Sequence, residues 1–216
     1  MFMKQFADRA AAGRELAILL SEYRQRTDVV ILALPRGGVP VAFEIAQLLA
    51  VPLDVLIVRK LGAPDQQEFA LGAIASGGIT VVNEAALRWF ADSPAFEAIV
   101  AAEYEELKRR EDLYRASRPA QEIRNRTAIL VDDGAATGSS MQAAVRAARK
   151  RGAGQIVVAL PVASGSACDK LREEADRVVC IYRPATFAAV GQWYESFSQT
   201  TDAEVRDLLS RASEQR

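Results

Sequence analysis

Residues 128–141 read AILVDDGAATGSSM, and this stretch decides the fold. Ala128–Val131 is a short apolar run, the pattern of a strand buried on both faces. It ends in two adjacent carboxylates, Asp132 and Asp133. Seven Gly, Ala, Thr and Ser residues follow, and a helical segment begins near Met141. Strand, loop and helix in this order belong to parallel sheets with right-handed crossovers, which bind ligands at the carboxyl ends of their strands. Small residues let backbone N–H groups approach a phosphate closely. The hydroxyls of Thr137, Ser139 and Ser140 add donors, and the helix N-terminus adds partial positive charge. Two carboxylates directly before such a cradle would repel a phosphate, so they need other work. Accepting hydrogen bonds from a ribose diol, or holding a hydrated Mg²⁺, fits. A ribose 5-phosphate unit satisfies both halves at once. An ordinary strand–helix connection with an Asp cap needs neither the second Asp nor the T-G-S-S run. No Lys follows the glycine, so this is not a Walker A loop.

Working outward, the same alternation recurs. VVILAL (29–34) predicts a buried strand, followed by a Gly-containing break (35–40), a helix over about 41–50 and a second apolar run over 53–58. Downstream, a helix near 141–151 is ended by Gly152. A strand over 156–160, a helix near 166–174 and a last strand over 178–182 follow. The fold class is therefore α/β, a parallel twisted sheet with flanking helices. The stretch from about 61 to 125 breaks the pattern. Residues 69–82 predict a hairpin turning at Gly77-Gly78. Ser93-Pro94 opens a long polar helix with i,i+4 pairs Glu105/Arg109, Glu106/Arg110 and Glu111/Arg115. Its narrow stripe of Phe96, Val100, Tyr104 and Leu107 suits a helix that stands out from the core or packs on a partner. At the ends, Asp8 is placed to cap a helix over about 8–25, and Thr201-x-x-Glu204 is a capping box for a last helix. Trp193, Tyr194 and Phe197 read as packing that helix onto the core, or as stacking on a base.

Composition narrows the chemistry. The 216 residues carry 27 Lys+Arg and 28 Asp+Glu, a formal charge of −1, which gives no electrostatic footprint for nucleic acid or an anionic membrane. There is no histidine, which excludes His-based triads and His-ligated metals. Cys168 and Cys180 read as reduced, half-buried thiols rather than a zinc site or disulfide framework. No apolar run approaches the roughly 18–20 residues of a membrane span. The N-terminal MFMKQFADRA lacks the apolar segment of a signal peptide. The expected location is cytoplasmic.

AILVDDGAATGSS resembles the PRPP-binding motif of type I phosphoribosyltransferases. By that resemblance Asp132 and Asp133 bind the ribose 2′- and 3′-hydroxyls, while Ala136, Thr137, Gly138, Ser139 and Ser140 bind the 5′-phosphate. Leu34–Pro40, with Arg36, Gly37 and Gly38, looks like the family's pyrophosphate loop. Arg59-Lys60 resembles the pair that opens the mobile loop of purine-type members, where two cations suit a leaving pyrophosphate. The RKLGAP (59–64) and LGAIASGG (71–78) runs are similar to one subgroup of the family. The resemblance implies a single domain with a core over about 28–60 and 126–182, an insertion over about 61–125, and a hood from about 1–26 and 184–216.

The implied chemistry is displacement of pyrophosphate from C1 of PRPP by a nitrogen acceptor, a nucleobase by class, with Mg²⁺ as cofactor, held by Asp132 and Asp133 directly or through water. A homodimer is compatible with the long polar helix. Where 6-oxopurine enzymes carry an Asp in the phosphate loop this chain has Ala136, which argues against a hypoxanthine/guanine mechanism; Glu68 in the hairpin is a candidate base on a closing lid. A non-catalytic PRPP or nucleotide sensor on the same fold, and hydrolysis with water as acceptor, are the competing readings.

Overall fold

The apolar runs pair as parallel strands. In a computed structural model, which describes residues 5–63, 66–82, 93–116 and 118–214, five strands form one sheet: β1 (Val29–Ala33), β2 (Leu53–Val55), β6 (Thr127–Val131), β7 (Gln155–Val162) and β8 (Arg177–Tyr182). Their spatial order is β2-β1-β6-β7-β8, and every pairing is parallel. Alternate residues serve opposite faces. Val29, Ile31, Ala33, Ile129, Val131 and Val157 face the core made with helices α1 (Arg9–Leu19) and α2 (Gly38–Leu49). Val30, Leu32, Ala128, Leu130 and Val158 face helices α4 (Ser139–Lys150) and α5 (Gly165–Glu174).

The second apolar run does not make one strand. β2 ends at Val55, and the chain re-enters a separate antiparallel sheet, β3 (Val58–Ala63), β4 (Gln66–Ala75) and β5 (Ile79–Val82), in that order. Leu56 and Ile57 are buried at the handover, where Leu56 N–H donates to Ala33 O (2.9 Å) and Ile57 N–H to Ser76 Oγ (2.9 Å). Both sides of the junction are apolar, so composition does not mark it. The hairpin turns where expected, with Gly77 and Gly78 at φ +85° and +72°, a conformation that two consecutive non-glycine residues rarely adopt.

The long helix α3 (Pro94–Arg115) corrects the expectation of an outstanding arm. It packs on β3 and on the last helix, α6 (Asp202–Glu214), and contributes Phe96, Leu107 and Tyr114 to the main core. Tyr104 is instead exposed beside Gly78, and Tyr114 takes the buried role, its hydroxyl donating to Asp202 Oδ1 at 2.6 Å. Buried positions at 107 and 114 extend the seam by a seven-residue step, which leaves Tyr104 at its edge. Two expected ion pairs form, Glu106–Arg110 and Glu111–Arg115, both at 2.7 Å; Arg109 bonds Glu106 rather than Glu105. The two guanidiniums hold the Glu106 carboxyl down to about 2.

Both predicted caps form: Asp8 Oδ1 accepts from Ala11 N–H (2.7 Å), and Thr201 and Glu204 bond reciprocally at 2.7 and 3.2 Å. The aromatic cluster, however, does not dock the last helix. Trp193 and Tyr194 pack with Phe6, Ala12 and Val162, and Phe6 bridges to Tyr194, so the cluster binds the N-terminal segment to the sheet.

Candidate functional site

From β1 the chain crosses to β2 on one side, and from β6 to β7 on the other. The β1/β6 boundary is therefore the switch point of the sheet, where two loops diverge from adjacent strand ends and leave a crevice. Leu34 N–H donates to Val131 O at 2.8 Å and fixes the two loops side by side. They are the Pro35–Pro40 break, whose Pro35–Arg36 peptide bond is cis, and the loop that follows Val131.

Asp132, Gly134–Met141 and their backbone line a hollow of about 110 Å³. The residues expected to form a phosphate cradle, Ala136, Thr137, Gly138, Ser139 and Ser140, thus surround one space with Asp132. Gly138 has φ +77° and turns the chain into α4, so the free N–H groups of that helix's first turn open onto the hollow. A Cβ at Gly138 would sit 3.3 Å from Ala167 Cβ. Thr137 Oγ1 and Ser139 Oγ lie 3.1 Å apart. The next connection braces the loop: Ser164, the N-cap of α5, donates from Oγ to Ala136 O (2.6 Å) and from its N–H to Ala135 O (3.0 Å). The same Ser164 Oγ also caps α5 by accepting from Ala167 N–H (3.0 Å).

The two acid side chains stand side by side and differ in their other partners. Asp132 faces the hollow, and its Oδ1 accepts from the Asp133 N–H at 2.9 Å. The Asp133 carboxyl, beside that of Asp132, also lies against Gly37 and is held by Arg9, whose Nε and Nη2 both lie 2.8 Å from Oδ2. Burial and the neighbouring carboxylate push Asp132 well above the usual carboxylate range. Burial also pushes Asp133 up, with Arg9 opposing it. Tyr194 Oη donates to the Asp133 carbonyl at 2.5 Å, and burial raises that hydroxyl, which keeps it a neutral donor. Sequence reasoning missed Arg9 altogether, and treated Tyr194 only as an aromatic.

The remaining expected residues are brought near unequally. Gly37 and Gly38 lie directly on the acid pair: an added Cβ would stand 2.1 Å from Asp133 Oδ2 at the first and 2.6 Å from Val131 O at the second. Arg36 faces Asp202 of α6, Nη1 to Oδ1 3.7 Å. Arg59 is bonded to Glu103 of α3 at 2.5 Å. Lys60, one residue on, projects from the opposite face of β3, the face of Val58, which packs toward α4. Glu68 falls in β4, and its side chain lies outside the described residues.

Among the described residues no group of three or more His, Cys, Asp or Glu is arranged to hold a metal ion. A pair of adjacent carboxylates suits only a hard cation that takes most of its ligands from bound phosphate oxygens and water, as Mg²⁺ does. Nor is any helix among those residues long and apolar enough to cross a membrane.

A switch-point hollow with a small-residue, helix-capped loop and paired acids defines an α/β protein with a candidate ligand site at its strand ends. Residues 3–195 match the phosphoribosyl transferase domain model, and the chain belongs to that family. Two curated Mycobacterium tuberculosis proteins, each named "putative phosphoribosyl transferase", are 46% identical over 211 residues, 97% of this chain and 47% of theirs. The chain thus spans about half the length of the curated relatives it matches. The crystal structure of TT1426 from Thermus thermophilus superposes with a TM-score of 0.85 at 43% identity, covering 96% of this chain and 98% of that one.

Proposed function

We propose that the protein transfers the 5-phosphoribosyl group of PRPP to a nitrogen acceptor of nucleobase class and releases pyrophosphate. The observation that carries this reading is the single hollow in which Asp132 and the Ala136–Ser140 loop face the same space, beside the loop of Gly37 and Gly38. In the reaction the C1–O bond to pyrophosphate breaks and a C1–N bond forms, so charge leaves C1 with the leaving group. The protein's work is to position and to neutralise. Backbone N–H groups and hydroxyls of Ala136, Thr137, Gly138, Ser139 and Ser140 hold the 5′-phosphate. Asp132 and Asp133 accept from the ribose hydroxyls. Arg36, with the N–H groups of Gly37 and Gly38, receives the pyrophosphate, and Arg59 and Lys60 add positive charge beside it. Asp132 and Asp133, directly or through water, are the residues that would hold Mg²⁺, which when bound neutralises charge on the pyrophosphate.

The test is calorimetric titration with PRPP and Mg²⁺, followed by pyrophosphate release across a nucleobase panel. Wild type binds and turns over one base class, and the double variant Asp132→Asn/Asp133→Asn binds no PRPP. Wild-type affinity in that variant would refute the site. One observation favours a second reading, a PRPP or nucleotide sensor: both Arg36 and Arg59 are engaged by carboxylates outside the hollow. Saturable PRPP binding without turnover on any base, and without release of ribose 5-phosphate, is the result that selects it.

A further inference from the structure

Arg9 lies outside every motif of the chain, 124 residues from Asp133, yet its side chain is only 11% exposed and its guanidinium is anchored on three sides. Nε and Nη2 converge on Asp133 Oδ2 at 2.8 Å, Nη1 donates to Ser198 O at 2.7 Å, and the group lies 3.9 Å from the centroid of the Phe197 ring. That ring is itself stacked on Tyr194, whose hydroxyl bonds the Asp133 carbonyl. Exposed ion pairs contribute little. Here a planar cation is desolvated, stacked and charge-bonded, the arrangement in which arginine holds a carboxylate in one orientation. A clamp that only joined the two chain ends could terminate on any residue; this one terminates on an acid of the ribose pair.

We propose that Arg9 is a positioning residue for the sugar: it fixes the Asp133 carboxylate, under a cover made by Tyr194 and Phe197, in the orientation that receives the ribose hydroxyls. This rests on the reading of Asp132 and Asp133 as the ribose acceptors. Arg9 acts on the ribose and not on the phosphates. Its loss therefore weakens ligands that contain the sugar and spares inorganic pyrophosphate titrated without Mg²⁺.

The experiment is calorimetry of the full chain with PRPP and ribose 5-phosphate, each with Mg²⁺, and with pyrophosphate without it. Arg9→Gln is expected to weaken PRPP and ribose 5-phosphate roughly 10- to 100-fold, the range for a lost charge-assisted bond, with pyrophosphate affinity unchanged. Arg9→Lys recovers part of the loss. In an Asp133→Asn background Arg9→Gln adds less than about twofold, because the two residues act as one unit. Phe197→Leu keeps the ion pair and removes the stack; it weakens ribose 5-phosphate about threefold and serves if Arg9→Gln does not fold. Unchanged ribose 5-phosphate binding in a folded Arg9 variant, equal weakening of all three ligands, or full additivity with Asp133→Asn overturns the proposal. A wild-type protein that binds pyrophosphate but neither sugar ligand refutes the ribose site itself, a different and recognisable failure.

Discussion

Gly38→Ala tests whether the close approach of the two loops is needed for the site. Gly38 is the first residue of α2 and is buried; its N–H donates to Leu34 O at 3.0 Å. Its φ is not in the left-handed region, so alanine meets no conformational barrier, and helix propensity favours alanine by up to about 1 kcal/mol. Space decides against it. The new methyl would stand 2.6 Å from Val131 O, 2.9 Å from Asp132 Cα and 3.3 Å from Asp132 Oδ1. The first two are backbone atoms, and Val131 O is held by the Leu34 N–H, so no flexible group can yield. The loop must retreat by roughly 0.8 Å before the closest of these contacts becomes ordinary, an overpacking that costs about 1–3 kcal/mol. The net loss is about 1–2 kcal/mol, a fall in Tm of roughly 2–8 °C for a chain of this size. Because the methyl presses on the backbone of Asp132, PRPP affinity falls further than stability, by about tenfold or more, as misplacement within a site does. Urea unfolding and calorimetry measure the two effects on one preparation. A Gly38→Ala protein as stable as wild type with wild-type PRPP affinity would refute the reasoning.

Two further outcomes are expected. Asp132→Asn raises stability above the acid range while weakening PRPP. The folded pair takes up a proton more readily than the unfolded chain, because burial and mutual repulsion raise Asp132, so wild-type stability falls as pH climbs from the ordinary carboxylate value of 3.8 through the raised one. The difference in Tm between variant and wild type therefore widens with pH, and a difference independent of pH would contradict it. Asp202→Asn releases Arg36 from its 3.7 Å partner while Asn Oδ1 still accepts from Tyr114; pyrophosphate affinity by calorimetry rises about two- to fivefold, consistent with an exposed pair, and no change would remove Arg36 from the pyrophosphate loop.

The elements whose signals lie within a few residues were legible in the sequence. The parallel strands show as short apolar runs, the Gly77-Gly78 turn as a glycine pair, and the caps at Asp8 and Thr201 as side chains within three residues of the N–H groups they satisfy. The small-residue loop after Asp132 and Asp133 is equally local, since strand, loop and helix N-terminus are contiguous, and it alone pointed to a phosphorylated sugar. The strand handover at Leu56–Ile57 was not legible, because two strands of different sheets are equally apolar where they meet. Nor was the docking of α3, whose polar surface is compatible with solvent, until Tyr114 meets Asp202 from the far end of the chain.

What the sequence by itself determined is the α/β class and the position of the acid pair and small-residue loop at a strand end. The tertiary structure alone decided that Asp132 lines the hollow while its neighbour Asp133 is held by Arg9, and that Arg36 and Arg59 face carboxylates on other helices. Local hydrogen bonding and periodicity write the first kind of fact into neighbouring residues. The partner of a charged side chain more than a hundred positions away depends on how whole elements pack, and no short stretch of chain encodes that.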